Sequence, residues 1–380
     1  MPDASLWDPE RVHPELRPAG APFGLYIHVP FCTRRCGYCA FVTSALPDPG
    51  SPGALGRTDA FVAAATAEID SAASLIADRV PPLTSIYFGG GTPTTLSPTQ
   101  TRRLVDAVTD RFDVGPDLEI SIEANPDGLA PAQLAELREM GVTRVSFGMQ
   151  SVRRRVLELL DRTHSPELAL QAVRDARRAG FDHVSLDLIY GTPGETEDDW
   201  RASLEAVLST QVDHVSAYAL GIESGTKLAS RVRRGQLSEP SDDDAADRYL
   251  LADSMLRSAG FEWYEISNWS RDPAARCRHN LLYWRNHDWW GVGPGAHSHV
   301  AGTRWWNVTD TDSWVAAALG GVGVVAGHEH LDDEQRRIES IMLGVRLAEG
   351  LPLPCGRRLV LTTRGRLLAD GVVRRLLGGP

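Results

Sequence analysis

Three cysteines, Cys32, Cys36 and Cys39, sit in "FCTRRCGYCAF" at Cys-x3-Cys-x2-Cys spacing. A structural zinc site closes a tetrahedron with four ligands, and a disulfide framework uses cysteines in even numbers. Here three stand together and the chain has five in all. Iron–sulfur clusters are also held by thiolates, and a [4Fe–4S] cube on three of them keeps one iron open to a small ligand. Zinc would need a fourth partner such as His28. Spacing alone leaves both metals in play.

Further polar groups end or interrupt short apolar runs rich in β-branched residues. Gly89-Gly90-Gly91-Thr92-Pro93 comes after "SIYF", Glu123 lies in "EISIEANP", Gln150 ends "RVSFGMQ", Asp187 interrupts "HVSLDLIYG" and Tyr218 lies in "HVSAYALG". Glycine at positions 90 and 91 would let backbone amides approach a carboxylate or amine with no Cβ in the way. Asp187, inside an apolar run, is costly to bury without a partner.

These groups need elements to hold them. Six such runs, beginning with "LYIHVPF" at 25, alternate with helical patterns through about residue 220. Ser97-Pro98 and Ser165-Pro166 place an N-cap serine before a first-turn proline, and Gly141 and Gly180 mark helix ends. Alternation of this kind predicts parallel βα units: an incomplete (β/α)6 TIM-like barrel, with a doubly wound sheet as the alternative. Polar groups at successive strand ends favour the barrel, whose chemistry gathers at the C-terminal ends of its strands. The expected organisation is a tail over 1–22, the barrel over 23–222, a Trp- and His-rich region over 223–330 and a small, shortened α+β module over 331–380. Eight of ten tryptophans fall between Trp263 and Trp314, which reads as a separate aromatic layer. Ser241 or Asp242 should start a helix there that Gly260 stops.

A formal charge of −11 argues against binding nucleic acid through the overall field. No apolar run reaches the roughly 18 residues of a membrane span, and the charged, proline-rich first 20 residues lack a secretory apolar centre. An odd set of five cysteines reads as reduced thiols in the cytoplasm.

The cysteine spacing, with Tyr38 before the last cysteine, resembles the signature of radical S-adenosylmethionine (SAM) enzymes. "LYIHVPFC", "YFGGGTPT", "IEANP", "LDRTHS", "DLIYGTPGET", "YEISNW" and "HNLLYW" are together similar to the oxygen-independent coproporphyrinogen III oxidase-like branch of that family. The resemblance runs from about Gly24 nearly to the end. It implies a [4Fe–4S] cluster on Cys32, Cys36 and Cys39, and SAM contacts at Tyr26, Tyr38, Gly90, Gly91, Thr92, Glu123, Gln150, Arg162 and Asp187. Without it, Arg162 would read as a solvated helix-end charge.

That branch holds oxidases that decarboxylate coproporphyrinogen III and a subgroup of heme-binding chaperones. The oxidases carry a further cysteine two positions after the last cluster ligand; here the chain reads Cys39-Ala40-Phe41, as the chaperones do, although they usually have aspartate where Ala40 stands. The resemblance implies a chaperone that passes heme to apo-hemoproteins such as respiratory enzymes, and makes a radical SAM oxidoreductase acting on a tetrapyrrole the alternative. It makes His279 in "RCRHNLLYW" the first candidate heme ligand, Cys277 the second, and His297 and His299 weaker ones. On its own, His279 would read as a group satisfying buried partners among the tryptophans. The electron donor is not indicated, and peripheral membrane association and a homodimer are left open.

Overall fold

The computed structural model describes residues 21–48 and 50–379; nearly all of the expected N-terminal tail lies outside them. Six parallel strands are neighbours in chain order: β1 (Phe23–Val29), β2 (Leu83–Gly90), β3 (Val114–Ala124), β4 (Arg144–Gln150), β5 (His183–Tyr190) and β6 (His214–Ala219). They are the six runs read from sequence. The chain returns between them through α1 (Pro52–Ile76), α2 (Pro98–Thr109), α3 (Pro131–Glu139), the short α4 (Arg154–Leu159) with α5 (Pro166–Arg178), and α6 (Glu197–Leu208). The helix signals hold with one difference. Ser97 closes a capping box with Gln100, whereas Ser165 caps α5 with its backbone conformation only. Gly141 and Gly180 end their helices at φ +100° and +84°.

The strands are two-faced. On β3 to β6 the residues Ile120, Ile122, Val145, Phe147, Val184, Leu186, Val215 and Ala217 belong to the apolar core beneath the helices. Their alternates Ser121, Glu123, Arg144, Ser146, Ser185, Asp187, His214 and Ser216 line the barrel interior. Strand side chains alternate faces with period two, so one phase builds the core and the other a polar lumen. Small serines on neighbouring strands leave that lumen hollow: Ser146 is in register with Ser185, and Asp187 with Ser216.

The aromatic region is not a separate layer. β9 (Asp288–Val292) adds to the open edge of β1 as a further parallel strand, with Tyr26 opposite Gly291. β10 (His297–Val300), β11 (Thr303–Asn307) and β12 (Val325–His330) continue outward as an antiparallel meander. On the far edge β8 (Asn268–Ser270) pairs antiparallel with β6, and β7 (Glu262–Glu265) lies beyond it. The result is one twelve-stranded sheet. Ser241 caps α7 (Asp242–Ser258), and Gly260 sits just past its end at φ +83°. The C-terminal part has α8 (Asp333–Gly344), a small hairpin pairing Leu351–Pro352 with Arg358–Leu359, and two short helices. Buried Arg366 fixes it to α7 by a bidentate pair with Asp253 at 2.9 and 2.8 Å.

Among the described residues one segment, Pro52–Arg79, is long and apolar enough to cross a membrane. It packs instead as a barrel helix, with Phe61, Val62, Ala65 and Ile69 in the core. The same buried face carries Glu68, whose carboxylate accepts from Gly293 N, Asn307 Nδ2 and Trp314 Nε1 at 2.9, 2.7 and 3.0 Å. That carboxylate joins the barrel to its meander.

Candidate functional site at the barrel mouth

The cysteine loop leaves the end of β1 and is pinned at several points. Phe31–Cys32 bridges Ser44–Ala45, Leu46 N donates to Cys32 O at 2.9 Å, and Leu228 N donates to Gly37 O at 2.8 Å. A Cβ on Gly37 would stand 2.4 Å from Asp161 Oδ2, so a side chain there would push aside the carboxylate that takes Lys227 Nζ at 2.8 Å. All three thiols face a cavity of about 570 Å³ in the barrel mouth. Donors reach all three sulfurs: Thr92 Oγ1 lies 3.7 Å from Cys32 Sγ, Arg162 Nη1 lies 3.5 Å from Cys36 Sγ, and the Phe41 backbone N–H meets Cys39. Burial pushes the Cys32 thiol up to about 11 and raises Cys39 as well, so metal loading would displace protons there. Among the described residues no three His, Cys, Asp or Glu side chains converge on a point suited to one metal ion. His28 is also taken, its Nδ1 by Tyr26 Oη at 2.9 Å and its Nε2 by Val42 O at 2.8 Å. The zinc alternative loses its fourth ligand.

The glycine loop works differently from the sequence expectation. Gly90 N–H donates to Glu123, Gly91 N to Val29 O at 2.8 Å, and Thr92 N to Phe31 O at 2.7 Å. Those amides serve the protein and are not free for a ligand. The glycines are required by packing. A Cβ on Gly91 would stand 2.5 Å from Phe31 O, and one on Gly90, at φ +106°, would stand 2.6 Å from the His28 ring.

Glu123 takes a 2.8 Å hydrogen bond from Tyr87 Oη, and burial lifts its carboxyl to about 7. Burial likewise raises Asp187, which accepts from Ser146 Oγ at 2.8 Å and from Ser216. Gln150 adopts φ +64° as β4 ends and turns into the cavity. Arg162, just beyond α4, is no solvated charge. Its Nη2 donates at 2.8 Å to both Asn125 Oδ1 and Gly148 O, and its Nε is buried with no partner. Tyr38 lines the same cavity, and burial raises its phenol.

Tyr26 and His279 stand elsewhere. Tyr26 faces a second cavity of about 420 Å³, which shares Ala40, Phe41, Gly90 and Glu123 with the first. His279, at 0% exposure, lines neither cavity. Ser85 Oγ holds its Nδ1 and Tyr283 Oη its Nε2, each at 2.8 Å, and burial depresses its pKa to about 3. Both nitrogens are engaged, so His279 cannot reach an iron without giving up a buried bond. Cys277 does line the first cavity, at its floor, with burial raising its thiol.

Sequence reasoning passed over the lumen residues Ser121, Arg144, Ser146, Ser185, His214 and Ser216, and over Asn125, which links Arg162 to Thr92 Oγ1. The signal was available. "EISIE", "RVSFG", "HVSLD" and "HVSAY" all alternate polar and apolar residues in one phase.

A parallel barrel with three thiols at its mouth and a polar lumen below them defines the radical SAM class, and the family model for the "Radical SAM superfamily" matches residues 26–207. The fold agrees with that of the coproporphyrinogen III oxidase HemN of Escherichia coli, with a TM-score of 0.78 over 91% of this chain and 81% of that one at 23% identity. A protein named heme chaperone HemW from Mycobacterium tuberculosis is 48% identical over 94% of this chain and 96% of its own length. HemW of Bacillus subtilis is 34% identical over 86% and 84% respectively. The chain belongs to the HemW family within the radical SAM superfamily.

Proposed function

We propose that this chain is a cytoplasmic heme chaperone that carries a [4Fe–4S] cluster and SAM at the barrel mouth and delivers heme to apo-hemoproteins. Cys32, Cys36 and Cys39 would hold the cluster. Thr92 and Arg162 fit that role, since hydrogen bonds to the sulfurs and a nearby cation both favour the thiolate form. On three thiolates the cluster would supply an open iron and one-electron reducing power. Tyr38, Gln150, Arg162 and Asp187 would line SAM. The glycine loop would meet it through carbonyl oxygens, because its amides are engaged. Glu123, with a pKa of about 7, can face an ammonium group as a carboxylate or share a proton with it. Tyr26 would act one layer behind, holding His28.

The observation that carries the chaperone reading is Phe41, 63% exposed at the lip between the two cavities. A phenyl ring there cannot transfer a proton or an electron as a cysteine could, but it offers an apolar face to a porphyrin. The test is to incubate reconstituted protein with hemin and, separately, with coproporphyrinogen III, SAM and reductant. Heme binding without protoporphyrinogen IX formation is expected. Oxidase turnover would overturn the reading.

A further inference from the structure

The second cavity adjoins the cysteine loop through Ala40 and Phe41 and opens beside the edge where β9 joins β1. Its volume of about 420 Å³ is within the rough 300–1,000 Å³ range of small-molecule sites. Phe41 and Trp289 supply flat aromatic wall. Trp289 is fixed in place by its Nε1 hydrogen bond to His297 O at 3.0 Å and by an edge-on contact with Tyr283 at 4.6 Å. Such walls suit a planar aromatic macrocycle.

Five side chains around this cavity have an atom able to bind iron: Tyr26, His28, Glu123, Tyr283 and His297. Four are engaged by the protein. Tyr26 Oη holds His28 Nδ1, His28 Nε2 holds Val42 O, Glu123 accepts from Tyr87, and Tyr283 Oη meets His279. His297 differs. It is exposed at the start of β10, its ring is stacked on Trp306 with centroids 5.9 Å apart, and neither ring nitrogen has a hydrogen-bond partner among the described residues. Imidazole is a common protein ligand to heme iron. An aromatic-walled cavity with one unengaged imidazole at its rim is a donor set that heme fits.

We propose that this second cavity is the heme site, with His297 as the iron ligand and Phe41 and Trp289 against the macrocycle. The proposal rests on the heme-chaperone reading and replaces His279, which stays a packing residue holding Ser85 and Tyr283 together. It places heme beside the cysteine loop, with Phe41 common to both compartments.

The test is a hemin titration of the full-length, anaerobically reconstituted protein, followed by Soret absorption and ferric-heme EPR. His297→Ala should weaken hemin affinity on the order of ten-fold or more and change the ferric spectrum. His297→Met should move the Soret band by changing the ligand, and Phe41→Ala should weaken affinity while the band position stays. Iron and sulfide content equal to wild type in all three variants shows that the fold and cluster loop survive. His279→Phe should keep the wild-type Soret position. Wild-type affinity and spectrum in both His297 variants would overturn this site and leave the chaperone reading standing. Absence of hemin binding by the unaltered protein would overturn both.

Discussion

Cys36 and Arg162 lie 126 positions apart in the chain and meet at 3.5 Å, while Cys355 sits exposed near a hairpin turn and lines neither cavity. The contrast gives a direct control. Cys36→Ser should abolish the visible absorption of anaerobically reconstituted protein, and Cys355→Ser should leave it at wild-type intensity. Arg162 did not stand out as a residue in its own right. Its position after α4 looks like a solvated helix end, and only folding shows the guanidinium turned inward to Asn125, Gly148 O and Cys36.

Among the elements, the glycine loop after β2 bears on the cysteine loop without contributing a ligand. Thr92 N and Gly91 N bond to the backbone leading into Cys32, and a Cβ on Gly91 would press on Phe31 O at 2.5 Å and on Val29 O at 3.0 Å. Both obstacles are backbone atoms, so the two loops must part to admit a methyl group. Gly91→Ala should cost about 1–3 kcal/mol in urea denaturation. It should also lower the iron bound after reconstitution, although every thiol is present. Unchanged iron content would show that the cysteine loop tolerates the shift.

Across the molecule, buried carboxyl groups brace the barrel and its C-terminal additions. Glu68 bonds α1 to the meander, Glu195 accepts from Gly191 N and Thr192 N, and Glu265 accepts from Asn268, Trp284 and Asn280. Burial raises their pKa values to about 7, 7 and 8, against roughly 4.3 for a free glutamate. Each therefore favours the fold when protonated. That contribution is full below about pH 4.3 and is lost as pH rises through 7 to 8. For Asp253, burial acts upward but the Arg366 and Trp269 hydrogen bonds outweigh it, so its pKa is depressed below the ordinary aspartate value. Buried histidines with depressed pKa values, such as His214 and His279, act in the opposite direction between pH 6 and pH 8, so the quantity to read is the urea stability of the metal-free protein at pH 6 minus that at pH 8. Glu68→Gln should reduce that difference, because one of the titrating groups is removed. An equal difference in the variant would show that Glu68 does not titrate in this window.

The six barrel strands, the ends of α3, α5 and α7, and the three-thiol loop were all readable, because each depends on local signals: β-branched runs, capping residues, glycines at positive φ and close-set cysteines. The polar lumen was also written in period two along β3 to β6, although the pattern is plain only when four strands are compared in phase. The joining of the Trp- and His-rich stretch to the barrel was not readable. β1 ends at Val29 and β9 begins only at Asp288, yet Tyr26 and Gly291 stand in register, and the meander beyond shares the apolar core of the barrel and bonds to a buried glutamate on α1. No local propensity encodes a pairing over that distance; it depends on which sheet edge is left open and what can cover it. The same holds for the histidines. His279 and His297 look alike as letters in an aromatic stretch. Their availability to a ligand depends on whether neighbours such as Ser85, brought in from elsewhere in the fold, have already taken the ring nitrogens. Side-chain type and spacing are properties of the chain, whereas burial and hydrogen-bond saturation are properties of neighbours that only folding assembles.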